Sequence, residues 1–495
     1  MKVILPILLV FVVLAVLCAH VNLPGTDEAW FASPALNLIA HGNFSTSVLD
    51  PTAAFRMNNL TGIDRHTYWI VPLYPLAQAA WDRVAGFGLM HVRYFSAFWG
   101  LVAMWAWYRI LTIVSGDRRV AVLALWLMAV DFTFVLAASW GRMDMMAAAL
   151  GSAGLAAHLS LREKHLVRAI LVSQACVAGA GLSHPLALGY FAGLAALTLY
   201  RDWRRIRFPH AMAACVPYLV GAAGWGLYIS QAPHDFILQF GGNAADRGVP
   251  LSDPVALLYV QFVERFWHMF GMAPDTRGLS HIKVLILAVY AAGLLGALCN
   301  REIRRHAGYR TLLVTGGVTV LGMMAIDSES HYFYLVHFVL WLIAFTAIAA
   351  VWYWDRRSVP RWALAAVVAL LLVAQFATIG RRVSQRAYST VYLPVTDYLK
   401  QRAKPQDIVM GSAELAFELG FDGNLVDDPR LGYRSGKRPS FIVIDHNRYE
   451  EWIPQYEQRE PRTYRYIQDM MAREFHQVLD NAGYKVYEKN TVGRR

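Results

Sequence analysis

Cysteine is scarce in this sequence, with four in 495 residues. All four lie within apolar stretches, and no pair has the spacing of metal ligands: Cys18, Cys176, Cys215 and Cys299. We therefore expect free thiols in hydrophobic surroundings. This distribution leaves no basis for a disulfide framework in the exported loops or for a cysteine-based metal site.

Charged residues are also scarce. They make up 16% of the chain, whereas 56% is hydrophobic and the mean hydropathy is +0.34. This composition places the chain among integral membrane proteins. The formal net charge of +11 comes from basic residues in short loops, so it predicts orientation and anionic-lipid contact rather than nucleic-acid binding. No internal repeat is evident, which argues against an inverted-repeat transporter.

Apolar stretches long enough to cross a bilayer recur through the first three-quarters of the chain. We predict a mostly α-helical, polytopic membrane protein of about eleven transmembrane helices, near residues 3–22, 92–115, 119–140, 144–161, 167–183, 185–200, 210–230, 282–299, 311–327, 332–353 and 362–380. The first stretch is expected to be a retained helix, because no clear small-residue cleavage site precedes Asn22.

The loops between these stretches divide into two groups by charge. Five short, basic loops alternate with the others, at 116–119, 162–168, 201–207, 301–305 and 355–357. The positive-inside rule assigns them to the cytoplasm. The other loops and everything after residue 380 are then predicted to be external. The basic loops and compact tail suggest a multi-pass bacterial inner-membrane protein with its site and C-terminal domain on the periplasmic side.

Two external regions differ from simple turns. The loop 23–90 contains two amphipathic stretches, 27–41 and 68–84, that we expect to lie along the membrane interface. In the charged tail, short β-rich runs alternate with helical patterns, which predicts a small exported α/β domain. We therefore divide the chain into a transmembrane domain, 1–380, and an extracytoplasmic domain, 381–495.

Polar and ionisable residues collect in the predicted external loops. Ionised carboxylates at a membrane boundary are costly unless hydrated or paired, which makes the pair Asp27-Glu28 the strongest functional candidate. The other candidates come from different helices but share its predicted face: His66, Arg93, Arg142, Asp144, His184, His331 and Tyr332.

Several of these residues also have simpler interpretations. Arg142 and Asp144 are close enough in sequence to pair locally and satisfy a helix end. His184, before a proline, would cap a kink, and Arg93 would extend to phosphate headgroups. His66, in Asp64-Arg65-His66, would stand in a solvated turn. These alternatives stay open on the sequence alone.

The order of these motifs resembles the membrane glycosyltransferases of the GT-C fold. Asp27-Glu28-Ala29-Trp30 after the first span and Pro72-Leu73-Tyr74 before the second resemble the protein O-mannosyltransferase and aminoarabinose transferase group, glycosyltransferase families 39 and 83. An Arg entering the second span, an Arg-x-Asp turn, a His-Tyr pair and an exported C-terminal domain fit the same pattern. The resemblance covers roughly 1–380. One departure is Val71-Pro72, where the family usually has a Lys-Pro-Pro-like sequence.

The resemblance implies an inverting transfer of a sugar from a polyprenyl-phosphate donor to a hydroxyl or amine of a lipid, glycan or protein acceptor. It assigns Asp27 as the general base. The leaving phosphate needs positive charge and hydrogen-bond donors, which the predicted set supplies: Arg93, Arg142, His331 and Tyr332. Substrate binding or orientation is assigned to Glu28, His66, Asp144 and His184.

Three questions stay open at this level. The carboxylates of Asp27 and Asp144 with a histidine would suit a divalent metal, but residues from separate loops do not fix a ligand spacing, and no other cofactor is expected. A lipid or solute transporter, or flippase, is the main alternative function. Within the segment 231–281, the sequence Gly241-Gly242-Asn243 with Asp246-Arg247 predicts a flexible lid over the site.

Overall fold

The computed structural model describes residues 3–52, 59–246, 253–327 and 331–490. Arg247 of the predicted lid and residues 328–330 before His331 lie outside these ranges. Up to residue 402, the described part of the chain is mostly helical. Its α-helices are α1 Ile4–Val21, α2 Thr26–His41, α3 Leu73–Ala85, α4 Leu89–Ser115, α5 Arg118–Val130, α6 Phe132–Ala138, α7 Met143–Leu161, α8 Leu166–Gly181, α9 Leu188–Asp202, α10 Phe208–Ile229, α11 Pro233–Phe236, α12 Gly242–Asp246, α13 Pro254–Leu258, α14 Lys283–Cys299, α15 Arg301–Arg305, α16 Ala307–Ile326, α17 Leu335–Arg356, α18 Arg361–Gln385 and α19 Leu393–Arg402.

Tighter or wider helical turns join several of these helices. The 3₁₀ turns in this part are Pro185–Ala187, Trp203–Arg205, Gly278–Ile282 and Tyr332–Tyr334, and the π-helical turns are Ile237–Gly241, Tyr259–Met272 and Tyr388–Tyr392.

All eleven predicted spans fall on helices. Within the described residues, seven helices are long and apolar enough to cross a membrane, or eight if the bent pair α5 and α6 counts as one span. The remaining three predictions correspond to α7, α8 and α9, which are shorter or less apolar. The chain is a multi-pass membrane protein with the predicted mostly helical class.

A buried aspartate explains the bend of 65° between α5 and α6. Asp131 caps α6 by accepting hydrogen bonds from the backbone N–H groups of Thr133, at 3.0 Å, and Phe134, at 2.9 Å. Its other oxygen accepts from the Tyr290 hydroxyl, at 2.6 Å, and the Gln375 amide, at 2.9 Å. A capped break satisfies the backbone groups that the bend frees. It also sets the direction in which α6 leads to residues 139–142.

Ion pairs group the basic loops at one end of the bundle. Arg119 pairs with Asp355, at 2.6 Å, and Arg356 pairs with Glu302, at 2.7 Å. Three loops that the charge pattern grouped together, 116–119, 301–305 and 355–357, therefore meet in the structure. The side of the membrane that they face stays a prediction.

The C-terminal region has the strands and helices of the predicted small α/β domain, and its strands form a five-stranded mixed sheet. Its elements are β1 Val409–Met410, the 3₁₀ turn Ala413–Leu415, α20 Ala416–Leu419, β2 Leu425–Val426, β3 Phe441–Asp445, α21 Tyr449–Arg459, α22 Pro461–Glu474, β4 Phe475–Asp480 and β5 Tyr484–Lys489. The strand order is β2-β1-β3-β5-β4. Strand β1 is parallel to β2 and β3, whereas β5 is antiparallel to β3 and β4. Hydrophobic side chains of β1 and β3 are fully buried and form the core of this unit.

Candidate functional site

Helix α2 carries the acidic pair and begins with a capping box. Glu28 accepts a hydrogen bond from the backbone N–H of Gly25, at 3.0 Å, which satisfies a donor at the helix start. Gly25 packs against the Trp140 ring, and a Cβ at this position would lie 2.4 Å from a ring carbon. The start of α2 is thus held against the loop after α6, and a glycine is needed at the contact.

Glu28 is a buried structural carboxylate. It is 0% exposed and forms two hydrogen bonds with Arg93, from Nε at 2.8 Å and from Nη2 at 2.7 Å. It also accepts from the backbone N–H of Gly141, at 2.7 Å. Glu28 therefore joins α2, α4 and the loop before α7.

Arg93, like Glu28, is a buried residue that joins separate elements of the fold. Besides its bonds to Glu28, it donates to the backbone oxygens of Ala19, Asn22 and Leu23 at the end of α1. These five hydrogen bonds account for all the N–H donors of a guanidinium group. The Arg93 side chain is fully buried, so in this conformation it has no donor left for a substrate phosphate.

Asp27 points away from this buried pair and forms an ion pair with Arg142. Its side chain is 33% exposed, whereas those of Arg142 and Asp144 are 4% and 2% exposed. Arg142 also donates from Nε to Asp144, at 2.9 Å. One guanidinium therefore bridges two carboxylates, and only Asp27 presents an accessible oxygen to a substrate. The local Arg142–Asp144 pair proposed from sequence exists, but it forms part of this larger group.

Two aromatic rings pack against Arg142. Its guanidinium lies 4.2 Å from the Phe333 ring centre and 5.3 Å from that of Phe31. Cation–π contacts of this kind stabilise a desolvated guanidinium and fix its orientation. The ion pair with Asp27 is therefore held by packing as well as by charge.

His184 extends the group beyond Asp144. Its Nδ1 accepts from the backbone N–H of Leu186, at 3.0 Å, so the ring proton of the neutral form lies on Nε2. This nitrogen is 3.6 Å from the Asp144 carboxylate. The capping role predicted for His184 is present, and the same ring faces the acidic group. Successive side-chain contacts thus connect Asp27 to Arg142, Arg142 to Asp144, and Asp144 to His184.

The turn Tyr332–Tyr334 has three consecutive aromatic residues, and each side chain lies in a different environment. Phe333 packs on Arg142, and Tyr334 lies 5.0 Å from the His184 ring, centre to centre. Tyr332 lines a different cavity, bounded by α1, α6, α14 and α18. His331 stacks on Phe333 with ring centres 5.5 Å apart. The structure therefore brings His331 towards the Arg142 group but places Tyr332 on the other face of the turn.

His66 lies in an aromatic cluster apart from the Asp27 group. Its ring centre is 5.6 Å from that of Tyr68 and 5.8 Å from that of Tyr228. Its backbone oxygen accepts from the Gln239 amide, at 3.0 Å, and Gln239 also accepts from the Tyr68 N–H, at 2.7 Å. The segment predicted as a lid is fastened here to the external loop. Its predicted flexibility is not tested by these contacts.

Sequence reasoning missed a second buried ion pair beside the site. Arg265, 0% exposed, donates from Nη2 to the Asp327 carboxylate, at 2.8 Å. Gln261 holds the same segment by donating to the Asp327 backbone oxygen, at 2.6 Å. The available sequence signals were the charged residues Glu264 and Arg265 within the aromatic run 259–272 and Asp327 in a polar turn. Asp327 also lines a cavity of about 260 Å³ together with His184, Tyr334, Leu186 and Phe240.

The C-terminal domain contacts helix α2 on both sides of Asp27. The hydroxyl of Thr26 lies 2.6 Å from that of Ser412 and donates to Glu414, at 2.8 Å. One helical turn later, the Trp30 indole N–H donates to Asp427, at 3.1 Å. Residues four apart lie on one face of a helix. The face with Thr26 and Trp30 therefore binds the C-terminal domain, whereas Asp27 contacts Arg142.

Arg448 reinforces the second of these contacts. It donates to Asp427, at 2.8 Å, and its guanidinium lies 4.8 Å from the Trp30 ring centre. No sequence pattern indicates this interaction, because Trp30 and Asp427 are 397 positions apart. The domain therefore helps to position the predicted base, a role that the tail's composition did not reveal.

Glu414 makes this docking sensitive to pH. Burial, with a smaller contribution from the nearby Asp445 charge, raises the pKa of Glu414 to about 7. The raised pKa therefore gives a contribution to stability that is fully present below about pH 4.5 and is lost as the pH rises from there through about 7. We expect Glu414→Gln to melt close to wild type at pH 4 and above wild type at pH 8.5. Equal melting-temperature differences at the two pH values, measured by differential scanning fluorimetry in detergent, would contradict this prediction.

No group of three or more His, Cys, Asp or Glu side chains arranged to hold a metal ion occurs among the described residues. Asp27 and Asp144 share Arg142 instead. The divalent-metal hypothesis thus stays a prediction.

Comparisons with known proteins identify the fold. No protein-family model matches the chain. No curated protein matches either. Among solved structures, ArnT from Cupriavidus metallidurans bound to undecaprenyl phosphate aligns over 98% of this chain and 97% of its own, with a TM-score of 0.63 and 15% identity. The Archaeoglobus fulgidus oligosaccharyltransferase in the apo form aligns over 98% of this chain and 75% of its own, with a TM-score of 0.55 and 12% identity.

A complex of the archaeal enzyme AglB, from Archaeoglobus fulgidus, with an inhibitory peptide and a dolichol-phosphate gives a TM-score of 0.53 at 11% identity and covers 99% of this chain and 75% of that one. These likenesses extend over nearly the whole chain, including the C-terminal sheet. The protein therefore has the GT-C membrane fold that the motif order implied.

Proposed function

We propose that this protein transfers a sugar from a polyprenyl-phosphate carrier to an acceptor hydroxyl or amine, at the end of the helix bundle where Asp27 lies. The observation that carries the proposal is the full-length likeness to an ArnT structure bound to undecaprenyl phosphate, combined with a single accessible carboxylate held by Arg142. The dolichol-phosphate complex of AglB is a second likeness to a protein that binds a lipid phosphate.

Asp27 is proposed as the general base. A carboxylate oxygen that is accessible and fixed in place can take the acceptor proton while the acceptor oxygen or nitrogen attacks the anomeric carbon. The bond from that carbon to the phosphate oxygen breaks, and the carrier phosphate leaves as a stable anion. No general acid is then required, and the transfer inverts the anomeric configuration.

Arg142 has two roles in this proposal. Its ion pair orients Asp27, and its positive charge favours the phosphate anion that develops in the transition state. His331, stacked on the ring that supports Arg142, is proposed as a further donor. Asp144 positions Arg142 by accepting its hydrogen bond, and His184 lies next to Asp144. Arg93 and Glu28 are proposed to hold α1, α2 and α4 together rather than to bind substrate, because their hydrogen-bonding groups are used within the protein.

The cellular placement follows from the same proposal. The ion-paired basic loops meet at one end of the bundle, and the positive-inside rule assigns that end to the cytoplasm. The Asp27 group then faces the other side, the periplasm in a bacterial inner membrane. Lipid, glycan and protein acceptors all remain candidates.

A transfer assay tests the reaction class. Purified protein in detergent is incubated with sugar-labelled undecaprenyl phosphate and with candidate acceptors, and in parallel with nucleotide sugars. We expect covalent label in an acceptor only with the lipid-linked donors. Movement of the labelled lipid between the leaflets of vesicles, without covalent transfer from any donor, would contradict the proposal and support the transporter.

A further inference from the structure

A polar cavity of about 160 Å³ lies at the end of the bundle opposite the basic loops. Its charged lining residues are Lys283, at the start of α14, with Arg381 and Arg382, near the end of α18. Cys18 of α1 and Tyr332 also line the cavity. Two segments that are about 100 residues apart in the sequence therefore bring three positive charges to one small space.

Among the described residues, the three cations of this cluster contact neutral groups. Arg381 donates to the Ser280 hydroxyl, Arg382 donates to Asn22 at 3.5 Å, and Lys283 lies 5.5 Å from the Phe132 ring centre. Within the described ranges, none of the three forms an ion pair with a carboxylate.

In this cluster Arg381 is exposed, and Lys283 and Arg382 are half-buried. Buried arginines elsewhere in the chain have carboxylate partners: Arg93 with Glu28, Arg142 with Asp27 and Asp144, Arg265 with Asp327, and Arg448 with Asp427. Three clustered cations without a counter-charge repel one another. An anion in the cavity would remove this cost.

A hydrogen-bond donor is also available in the cavity wall. The Tyr332 hydroxyl is buried and has no hydrogen-bond partner among the described residues. A buried polar group without a partner is unfavourable by about 1–3 kcal/mol, so it is usually satisfied by a ligand or water. This is the second observation, independent of charge, that indicates a ligand.

The position of the cluster in the bundle is unusual for a membrane protein. Lys283 begins a helix that leads to the basic loop 301–305, and Arg382 ends a helix that starts after the basic loop 355–357. The cluster therefore lies at the ends that the positive-inside rule expects to be poor in Lys and Arg. Phosphate groups of lipids are the anions found at that depth.

We propose that this cavity binds the phosphate group of a lipid, held by Lys283, Arg381, Arg382 and the Tyr332 hydroxyl. The site is separate from the Asp27 group, because Phe333 of the intervening turn packs on Arg142 while Tyr332 lines the cavity. Two lipids carry the required chemistry: an anionic phospholipid of the membrane and the polyprenyl-phosphate carrier. The second source rests on the proposed function, whereas the first does not.

Native mass spectrometry of the purified protein tests the site. Wild type and the double variant Lys283→Gln/Arg382→Gln are titrated with phosphatidic acid, with undecaprenyl phosphate and with diacylglycerol, which has no phosphate. Each lost contact to a charged group is expected to weaken binding about tenfold or more. Arg277→Gln is the matched control, because Arg277 is exposed nearby and does not line the cavity.

The two lipid sources give different results. A loss for phosphatidic acid supports a site for membrane phospholipid, and a loss confined to undecaprenyl phosphate supports a site for the carrier. Equal binding by the double variant, the control and wild type would overturn the proposal, as would diacylglycerol binding as tight as that of phosphatidic acid. The readout is lipid binding, so it is independent of whether sugar transfer occurs. The single variant Arg381→Gln, at an exposed residue, repeats the test if the double variant is unstable.

Discussion

Replacement of Asp27 by asparagine is expected to lower the rate of sugar transfer by about 10²–10⁴-fold, the usual contribution of a general base. The amide keeps the size of the side chain but cannot accept the acceptor proton. The substitution also removes one of the two negative charges that contact Arg142. The contact of Arg142 with Asp144, at 2.9 Å, persists. The loss should therefore appear in kcat, measured as labelled product formed per minute at saturating donor.

Asp64→Asn is the matched control for this variant. Asp64 is an exposed aspartate of the same external region, so its replacement removes one carboxylate without touching the Arg142 group. We expect Asp64→Asn to transfer sugar at the wild-type rate. If Asp27→Asn also retained the wild-type rate, Asp27 would not be the base, and Asp144 would be the next carboxylate to test.

Replacement of Arg93 by glutamine is expected to destabilise the folded protein by about 3–5 kcal/mol, the usual effect of removing one partner of a buried ion pair. Glu28 would keep its negative charge at 0% exposure and would lose both bonds to Arg93. The carbonyls of Ala19, Asn22 and Leu23 would lose their donor as well. The predicted loss is in the free energy of unfolding, measured by denaturant titration in detergent.

Arg65→Gln provides the comparison for this prediction, because Arg65 is exposed in the external loop. Its replacement should change the free energy of unfolding by no more than about 0.5 kcal/mol. Wild-type stability of Arg93→Gln, combined with weaker donor binding, would contradict the framework role. It would favour the phosphate-binding role assigned to Arg93 from the sequence.

The parts of the fold that depend on local sequence could be predicted. Hydrophobic length located the helices, since all eleven predicted spans fall on helical segments. The stretch 27–41 was predicted as a helix because its amphipathic pattern is local, and it closely matches α2, Thr26–His41. The alternation of basic loops predicted which loops meet, and the pair Arg356–Glu302 joins two of them.

The parts that depend on long-range contacts could not be predicted. The buried contact of Arg93 with Glu28 joins residues 65 positions apart, so the sequence did not indicate that a carboxylate holds Arg93. The docking of Trp30 on Asp427 spans 397 positions, and no sequence pattern indicates it. Three of the predicted spans proved to be shorter or less apolar helices, which bury polar residues such as Asp144 against neighbours. Sequence hydropathy does not distinguish such helices from lipid-facing ones.

The stereochemistry of the product tests the central claim, that Asp27 activates the acceptor for direct displacement of the carrier phosphate. A donor of known anomeric configuration is converted by the purified protein, and the anomeric configuration of the initial product is determined by NMR. A single displacement predicts inversion at the anomeric carbon. Retention would contradict the account, because it requires two displacements and would make Asp27 a nucleophile that carries the sugar.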